Sequence, residues 1–136
     1  MRRRYAVARA LVEMRADTAT KVAENEIEKG DVLACARIAG IQGAKRAAEL
    51  IPSALPVMVG GVTVDFEIGA VAIAITARVE ALGLSGVSTE ALTCASVAAL
   101  TIYDMCKAID RSMTITEVVV EEHGADDVAI WRRALP

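Results

Sequence analysis

The chain has 136 residues, with 15 Lys and Arg against 18 Asp and Glu, a net charge of −3 and one histidine. That balance does not advertise a nucleic-acid or anionic-membrane partner, and one histidine cannot build a histidine metal site alone. The composition is 54% hydrophobic but 3% aromatic, so Ala, Val and Ile must fill a core that calls for close packing of helices on a sheet.

The length suits one domain, residues 1–136, whose core needs no disulfides. The amount of apolar surface favours a homo-oligomer that buries part of it between subunits. The longest apolar run, Ile68 to Ile75, is far short of a membrane span. The basic start, Met1 to Arg4, is not followed by an apolar signal core. Three cysteines, Cys35, Cys94 and Cys106, make an odd set that indicates a reducing compartment, and the cytoplasm is the expected location.

From Arg4 to Met14, small apolar side chains alternate with the rest, which predicts a strand in preference to the helix that the alanine content would equally suit. Asp17 is a candidate N-cap for a short helix running to about Glu28. Lys29-Gly30-Asp31 interrupts, and Asp31 is positioned to cap a second helix that Pro52 stops. Two alternating strands follow, Val62 to Ile68 and Val71 to Ala77, with the tight turn at Gly69-Ala70. After a loop at Gly83 to Gly86, a long helix is predicted from about Ser88 to Arg111. A strand over Thr114 to Glu121 and a weaker one over Val128 to Arg132 complete the chain. The order β-α-α-β-β-α-β(-β) predicts an α+β, ferredoxin-like fold, an antiparallel sheet with helices on one face.

Phosphate loops of the G-x-x-x-x-G-K-[ST] type, G-x-G-x-x-G and C-x-x-C are all absent, so neither a cofactor nor a metal is expected. Cys94 and Cys106 lie twelve apart on one predicted helix and read as core residues rather than ligands.

Two segments carry a long likeness. Lys29 to Pro56 reads KGDVLACARIAGIQGAKRAAELIPSALP, and Gly86 to Lys107 reads GVSTEALTCASVAALTIYDMCK. In the KGD turn, the ARIAGIQ-x-AKR helix, the proline loop and the EALT-x-ASVAALTIYDMCK helix, the chain resembles the cyclic pyranopterin monophosphate synthase (MoaC) family, from near Arg4 to the strand after Met113. The resemblance implies a ferredoxin-like fold assembled as a hexamer of dimers, with the site at a subunit interface. It also implies an activity in molybdenum-cofactor biosynthesis. A small-molecule, nucleotide triphosphate-derived substrate, 3′,8-cyclo-7,8-dihydroguanosine triphosphate, becomes cyclic pyranopterin monophosphate and diphosphate.

Residue by residue, the resemblance places Asp104 and Lys107 as catalytic. Three apart on a helix, they share a face; a carboxylate beside it keeps a lysine charged, fit to donate a proton or hold a phosphate while Asp104 orients it or accepts a proton. The same pair also reads as an ordinary helical ion pair worth about 0.2–0.5 kcal/mol. Lys29 and Lys45 fall on family lysines. Arg37, eight residues before Lys45, is expected on roughly the same side, where the two present cations to a triphosphate or simply form a solvated basic face. Thr89 and Glu90 fall on substrate-contacting positions at the start of the long helix. Glu90 precedes Asp104 by fourteen residues, roughly 21 Å along a straight helix, so one small ligand reaches both only if a second subunit brings one of them.

The pattern also breaks. The family loop IPLCHP is here Ile51 to Pro56, so its leucine, cysteine and histidine become Ser53, Ala54 and Leu55, and a titratable imidazole is lost. In the family's GVEMEA stretch a glutamate becomes Ser88. Where the family carries a lysine and a Gly-Gly-Lys-Ser-Gly loop, residues 121–127 here are predicted as an acidic loop, with His123 about where the lysine stood. The alternative function is therefore a catalytically impaired paralogue, a nucleotide-binding or regulatory subunit on the same scaffold.

Overall fold

The period-two pattern at the start of the chain is realised as a strand, β1 (Arg2–Glu13), in a computed structural model that describes residues 2–134. Met1, Leu135 and Pro136, the outermost positions of the expected domain, lie outside the described residues. Ala6, Ala8, Ala10 and Val12 turn to one face of β1 and are buried, as alternation along a strand requires.

Helix α1 (Ala16–Ala23) departs from expectation at both ends. Arg15, not Asp17, holds the N-cap position, and Asp17 sits in the first turn. There its carboxylate meets the Arg15 guanidinium at 3.1 Å and accepts the Thr18 N–H. The helix stops well before Glu28, and Asn25 just beyond it takes a left-handed φ of 55°, which asparagine tolerates better than most residues. Helix α2 (Val32–Lys45) starts as predicted, the Asp31 carboxylate accepting the Ala34 N–H at 3.0 Å. It does not continue to Pro52. The backbone opens at Arg46 (φ −110°) and a single turn, α3 (Ala47–Leu50), follows.

Strands β2 (Met58–Ile68) and β3 (Ala72–Gly83) are longer than their clearest alternation. Gly60 and Gly61, next to a register shift between Val59 and Gly61, hide the start of β2 from a pattern of side chains. Helix α4 (Ser88–Cys106) ends before Arg111 because the following turn is folded back on the β1–α1 corner, as described below. Strand β4 (Thr114–Ala125) and β5 (Val128–Arg132) form a hairpin.

The strands order as β2-β3-β1-β4-β5, each neighbouring pair antiparallel. Helix α4 lies over β1, β3 and β4, while α2 packs on α4 and β2. This is the ferredoxin-like α+β arrangement expected from the element order, with β5 added at one edge. Ile73, Ile75 and Ile102 are among the largest fully buried side chains, and burial of each contributes about 1.5–3 kcal/mol.

The acidic loop expected at residues 121–127 is not a loop. Glu121 to Ala125 belong to β4, and Asp126 (φ 52°) with Asp127 (φ 66°) form the two-residue turn into β5, the backbone of a type I′ hairpin. Their charges are matched: Glu121 by Arg9 at 3.1 Å, Glu122 by Arg132 at 2.9 Å, Asp126 by Arg2 at 3.1 Å and Asp127 by Arg3 at 3.8 Å. On the face of β1 away from the helices, the Tyr5 hydroxyl donates to Glu122 and Arg78 covers the Tyr5 ring at 4.3 Å. Gly124 faces that ring across the β1–β4 ladder. A Cβ on Gly124 would lie 2.7 Å from Tyr5 Cε1 and would collide with the Val128 carbonyl. Gly86 has nothing within 4 Å of the same position. Gly124→Ala is expected to lower the free energy of unfolding by about 1–3 kcal/mol, against a change within about 0.5 kcal/mol for Gly86→Ala, read from urea titrations of both variants.

Candidate active site

Two groups of the singled-out residues form, one at each end of α4. At its C-terminal end, helical spacing brings Lys107 Nζ to 2.9 Å from Asp104 Oδ1. A second cation arrives from the loop between α1 and α2. Gly30 there adopts φ 120°, a conformation that L side chains rarely take. Its neighbour Lys29 reaches Asp104 Oδ2 at 3.5 Å and donates to the Asp104 carbonyl at 3.3 Å.

One carboxylate thus stands between two ammonium groups, leaving a local net positive charge. The hydrogen bond from Lys107, then the charges of Lys107 and Lys29, hold the Asp104 carboxyl below its usual range. The hydrogen bond to Asp104, and its charge, push Lys107 above the ordinary lysine value. All three side chains are about half exposed, so the cluster adds little to stability and remains open to a ligand. Beside it lies a cavity of about 610 Å³ whose wall carries Lys21, Glu26, Glu28 and Lys29 together with the apolar Ile27 and Met105.

The turn that carries Lys107 is clamped by a residue that sequence reasoning did not single out. Asp110 is 1% exposed. Its carboxylate accepts the Arg15 N–H (2.9 Å), the Thr18 hydroxyl (2.9 Å), and the N–H (3.1 Å) and hydroxyl (2.9 Å) of Ser112. Burial alone would push this carboxyl up; the hydrogen bonds from Arg15, Ser112 and Thr18 more than reverse that and hold it down at about 2. The available signal was Asp-x-Ser at 110–112, a pattern of side chains that bond to nearby backbone. It was masked by reading the helix through to Arg111.

The N-terminal end of α4 carries the second group. Glu90 is buried and lines a cleft of about 280 Å³ with Lys45, Glu49, Pro56 and Val57. Ser53 and Leu55 are exposed in the adjoining loop and Ala54 is half-buried. Leu55 borders an apolar hollow with Met58, Leu82 and Leu84. Thr89 is exposed, its carbonyl accepting the Thr93 hydroxyl at 2.7 Å.

Arg37 joins neither group. Arg37 is exposed on α2; its Nε donates to the Val64 carbonyl at 3.0 Å and its guanidinium lies 5.3 Å over the Phe66 ring. His123 stacks on Trp131 at 5.8 Å and pairs with Ala6 across the ladder. Ala6 is seven residues along β1 from Glu13, roughly 23 Å, and Arg15, just beyond that end of the strand, is where the Lys107 turn is tied. His123 therefore stands toward the Glu90 end of the sheet, far from Lys107. Cys94 and Cys106 are buried core residues, as expected, with thiols pushed up by burial to about 12 and about 11. Among the described residues, no group of three or more His, Cys, Asp or Glu side chains is placed to hold a metal, and no helix is long and apolar enough to cross a membrane.

A sequence model described as MoaC family matches residues 1–125, nearly the whole chain and both ends of α4. The chain belongs to the MoaC family. Among curated MoaC-like relatives, the cyclic pyranopterin monophosphate synthase of Heliobacterium modesticaldum is 49% identical over 125 residues, covering 90% of this chain and 79% of its own length. The protein of that name from a Roseiflexus strain is 54% identical over 114 residues, 82% of this chain and 72% of its own. The one from Thermomicrobium roseum is 48% identical over 132 residues, 96% and 80% respectively.

The clamp under this MoaC-family site has an acid signature. The folded-state value of Asp110, about 2, lies below the ordinary carboxyl value near 3.9. Its stabilisation is therefore complete above about pH 4 and is lost as pH falls towards about 2. Asp110→Asn is expected to be less stable than the parent at neutral pH, and the gap is expected to close across that acid window, followed by urea unfolding at stepped pH.

Proposed function

We infer that this chain, as a single domain over residues 1–136, converts 3′,8-cyclo-7,8-dihydroguanosine triphosphate into cyclic pyranopterin monophosphate and diphosphate, in molybdenum-cofactor biosynthesis in the cytoplasm. The observation that carries the reading is the half-exposed Lys29–Asp104–Lys107 cluster, whose Lys29 also lines a cavity, in a chain of the MoaC family. A triphosphate brings several negative charges, and two lysines around one carboxylate leave an unbalanced cation to meet them. Lys107, kept charged by Asp104, donates a proton or holds a phosphate oxygen, and Asp104 orients it or accepts a proton. Lys29 takes the second phosphate-facing position.

Glu90 and Lys45, with Ser53, Ala54, Leu55 and Thr89 around them, form the complementary half. Fourteen residues of helix separate Glu90 from Asp104, roughly 21 Å. A complete site therefore takes the C-terminal half from one subunit and the N-terminal half from another, which supports a homo-oligomer; a hexamer of dimers is the size that the family resemblance implies. His123 belongs to that second half. Arg37 stays a candidate phosphate contact, its Nε holding it on β2 while its remaining guanidinium N–H groups are left to meet an anion.

An anaerobic assay following cyclic pyranopterin monophosphate tests the reaction. Asp104→Ala and Lys107→Ala are each expected to lower turnover about 10²–10⁴-fold. No product from the folded parent oligomer would leave a nucleotide-binding subunit without this chemistry. The shared site has its own test: inactive Asp104→Ala and Glu90→Ala proteins, unfolded together in equal amounts and refolded, are expected to recover up to about a quarter of the parent activity, because half the dimers are mixed and each mixed dimer regenerates one of two sites. Recovery of none would place the whole site within one subunit.

A further inference from the structure

We propose that Asp110 is a positioning residue for the Lys29–Asp104–Lys107 cluster, holding the turn after α4 against the β1–α1 corner so that both lysines meet one carboxylate. The inference rests on the reading of that cluster as the catalytic end of the site. Asp110 touches none of the three residues; it acts through the two chain segments that deliver them.

The first segment is its own. Lys107 closes α4, and the Ile109 and Asp110 N–H groups both return to the Cys106 carbonyl at 3.1 Å. The turn is thus a short, tightly wound unit whose outer end is the buried carboxylate. Arg15 holds that unit twice, its N–H donating to Asp110 and its guanidinium donating to the Ile109 carbonyl at 2.6 Å. The second segment is α1. Thr18, fully buried, donates to the same Asp110 Oδ2 that takes the Arg15 N–H. Helix α1 leads directly into the 24–31 loop that presents Lys29. One oxygen of Asp110 therefore holds the base of the Lys29 segment, and the other, bonded to Ser112, holds the chain leaving towards β4. The cavity beside the cluster is walled by both segments, Lys21 and Lys29 from one and Met105 and Ile109 from the other.

An exposed lysine pair has no packing of its own to fix it. Its geometry is set by the backbone from which the side chains spring, and that backbone is fixed here by bonds to one buried carboxylate. Displacement of catalytic groups by about 1 Å costs on the order of 10²-fold in rate.

Two variants test the role. Thr18→Val removes only the hydroxyl that ties α1 to Asp110 while keeping shape and burial; Asp110→Asn disturbs both oxygens. Each is compared with the parent by melting temperature, oligomer size, the pH profile of kcat, and titration of the Asp104 γ-carbon in ¹³C-aspartate-labelled protein, that signal being assigned with Asp104→Asn. In folded variants, kcat/KM is expected to fall about 10–10²-fold. The acid limb of kcat and the Asp104 titration are both expected to move to higher pH, as the carboxylate loses the Lys29 charge that helps to hold it down. A lower melting temperature with the limb and titration unmoved would reduce Asp110 to a stabilising residue and overturn the proposal. If Asp110→Asn does not fold, Thr18→Val decides. If the parent makes no product, the reaction reading fails by itself, and the Asp104 titration in ligand-free Thr18→Val still decides: a shift sustains the positioning role, and none ends it.

Discussion

The placement of every proposed site residue depends on how closely α4 is seated. Ala91, Ala95, Ala98 and Ala99 on the helix and Ala6, Ala8 and Ala10 on β1 are all buried. Small side chains on both surfaces let the helix axis approach the sheet without large residues to interdigitate. The same holds between the helices, where a Cβ on Gly40 would lie 3.1 Å from the Cys94 carbonyl and one on Gly43 2.9 Å from Val97 Cγ2. Van der Waals attraction falls off within a fraction of an ångström, so a seam made of alanine and glycine holds only at this separation. The result is a rigid rod of nineteen residues, and its two ends become fixed points.

The pairing of α2 with α4 then gives those ends their chemistry. The start of α2 lies beside the end of α4, where Lys29 meets Asp104, and the end of α2 lies beside the start of α4, where Lys45 and Glu90 line one cleft. Each end of the helix layer therefore carries a lysine from the α2 side and a carboxylate from the α4 side. Their surroundings differ. Asp104 is half exposed between two cations, whereas Glu90 is buried beside a loop whose family histidine is Leu55 here. The positions at which the resemblance breaks (Ser53, Ala54, Leu55, Ser88 and His123) all fall toward the Glu90 end.

How much of this was legible depended on the range of the interaction. Local rules found β1 from its alternation, the Asp31 cap from its position before an apolar run, and the Asp104–Lys107 pair from helical spacing, because each needs only neighbours in sequence. The resemblance to known sequences supplied Lys29, Lys45 and Glu90, yet only the fold shows that Lys29 shares Asp104 with Lys107 across 75 positions. Asp110 was missed because its partners Arg15 and Thr18 lie more than ninety residues away, and helix propensity favours extending α4 over it. The β4–β5 turn was missed because Asp126-Asp127 lacks the glycine that announces a type I′ turn, and its left-handed conformation is sustained by bonds to Arg2 and Arg3 at the far end of the chain. The acids of residues 121–127 read as an unbalanced run for the same reason: the arginines on β1 and β5 that neutralise them come together with them only in the folded sheet.

The three cysteines have a consequence of a different kind. Thiol chemistry proceeds through the thiolate. Cys94 and Cys106 are sealed in the helix–sheet layer with that form suppressed, whereas Cys35 is exposed on the first turn of α2, just beyond the segment that presents Lys29. The native molecule thus carries a single exposed thiol, close to one half of its site. A dye or spin label attached there would report on whatever covers that surface, without a single engineered residue.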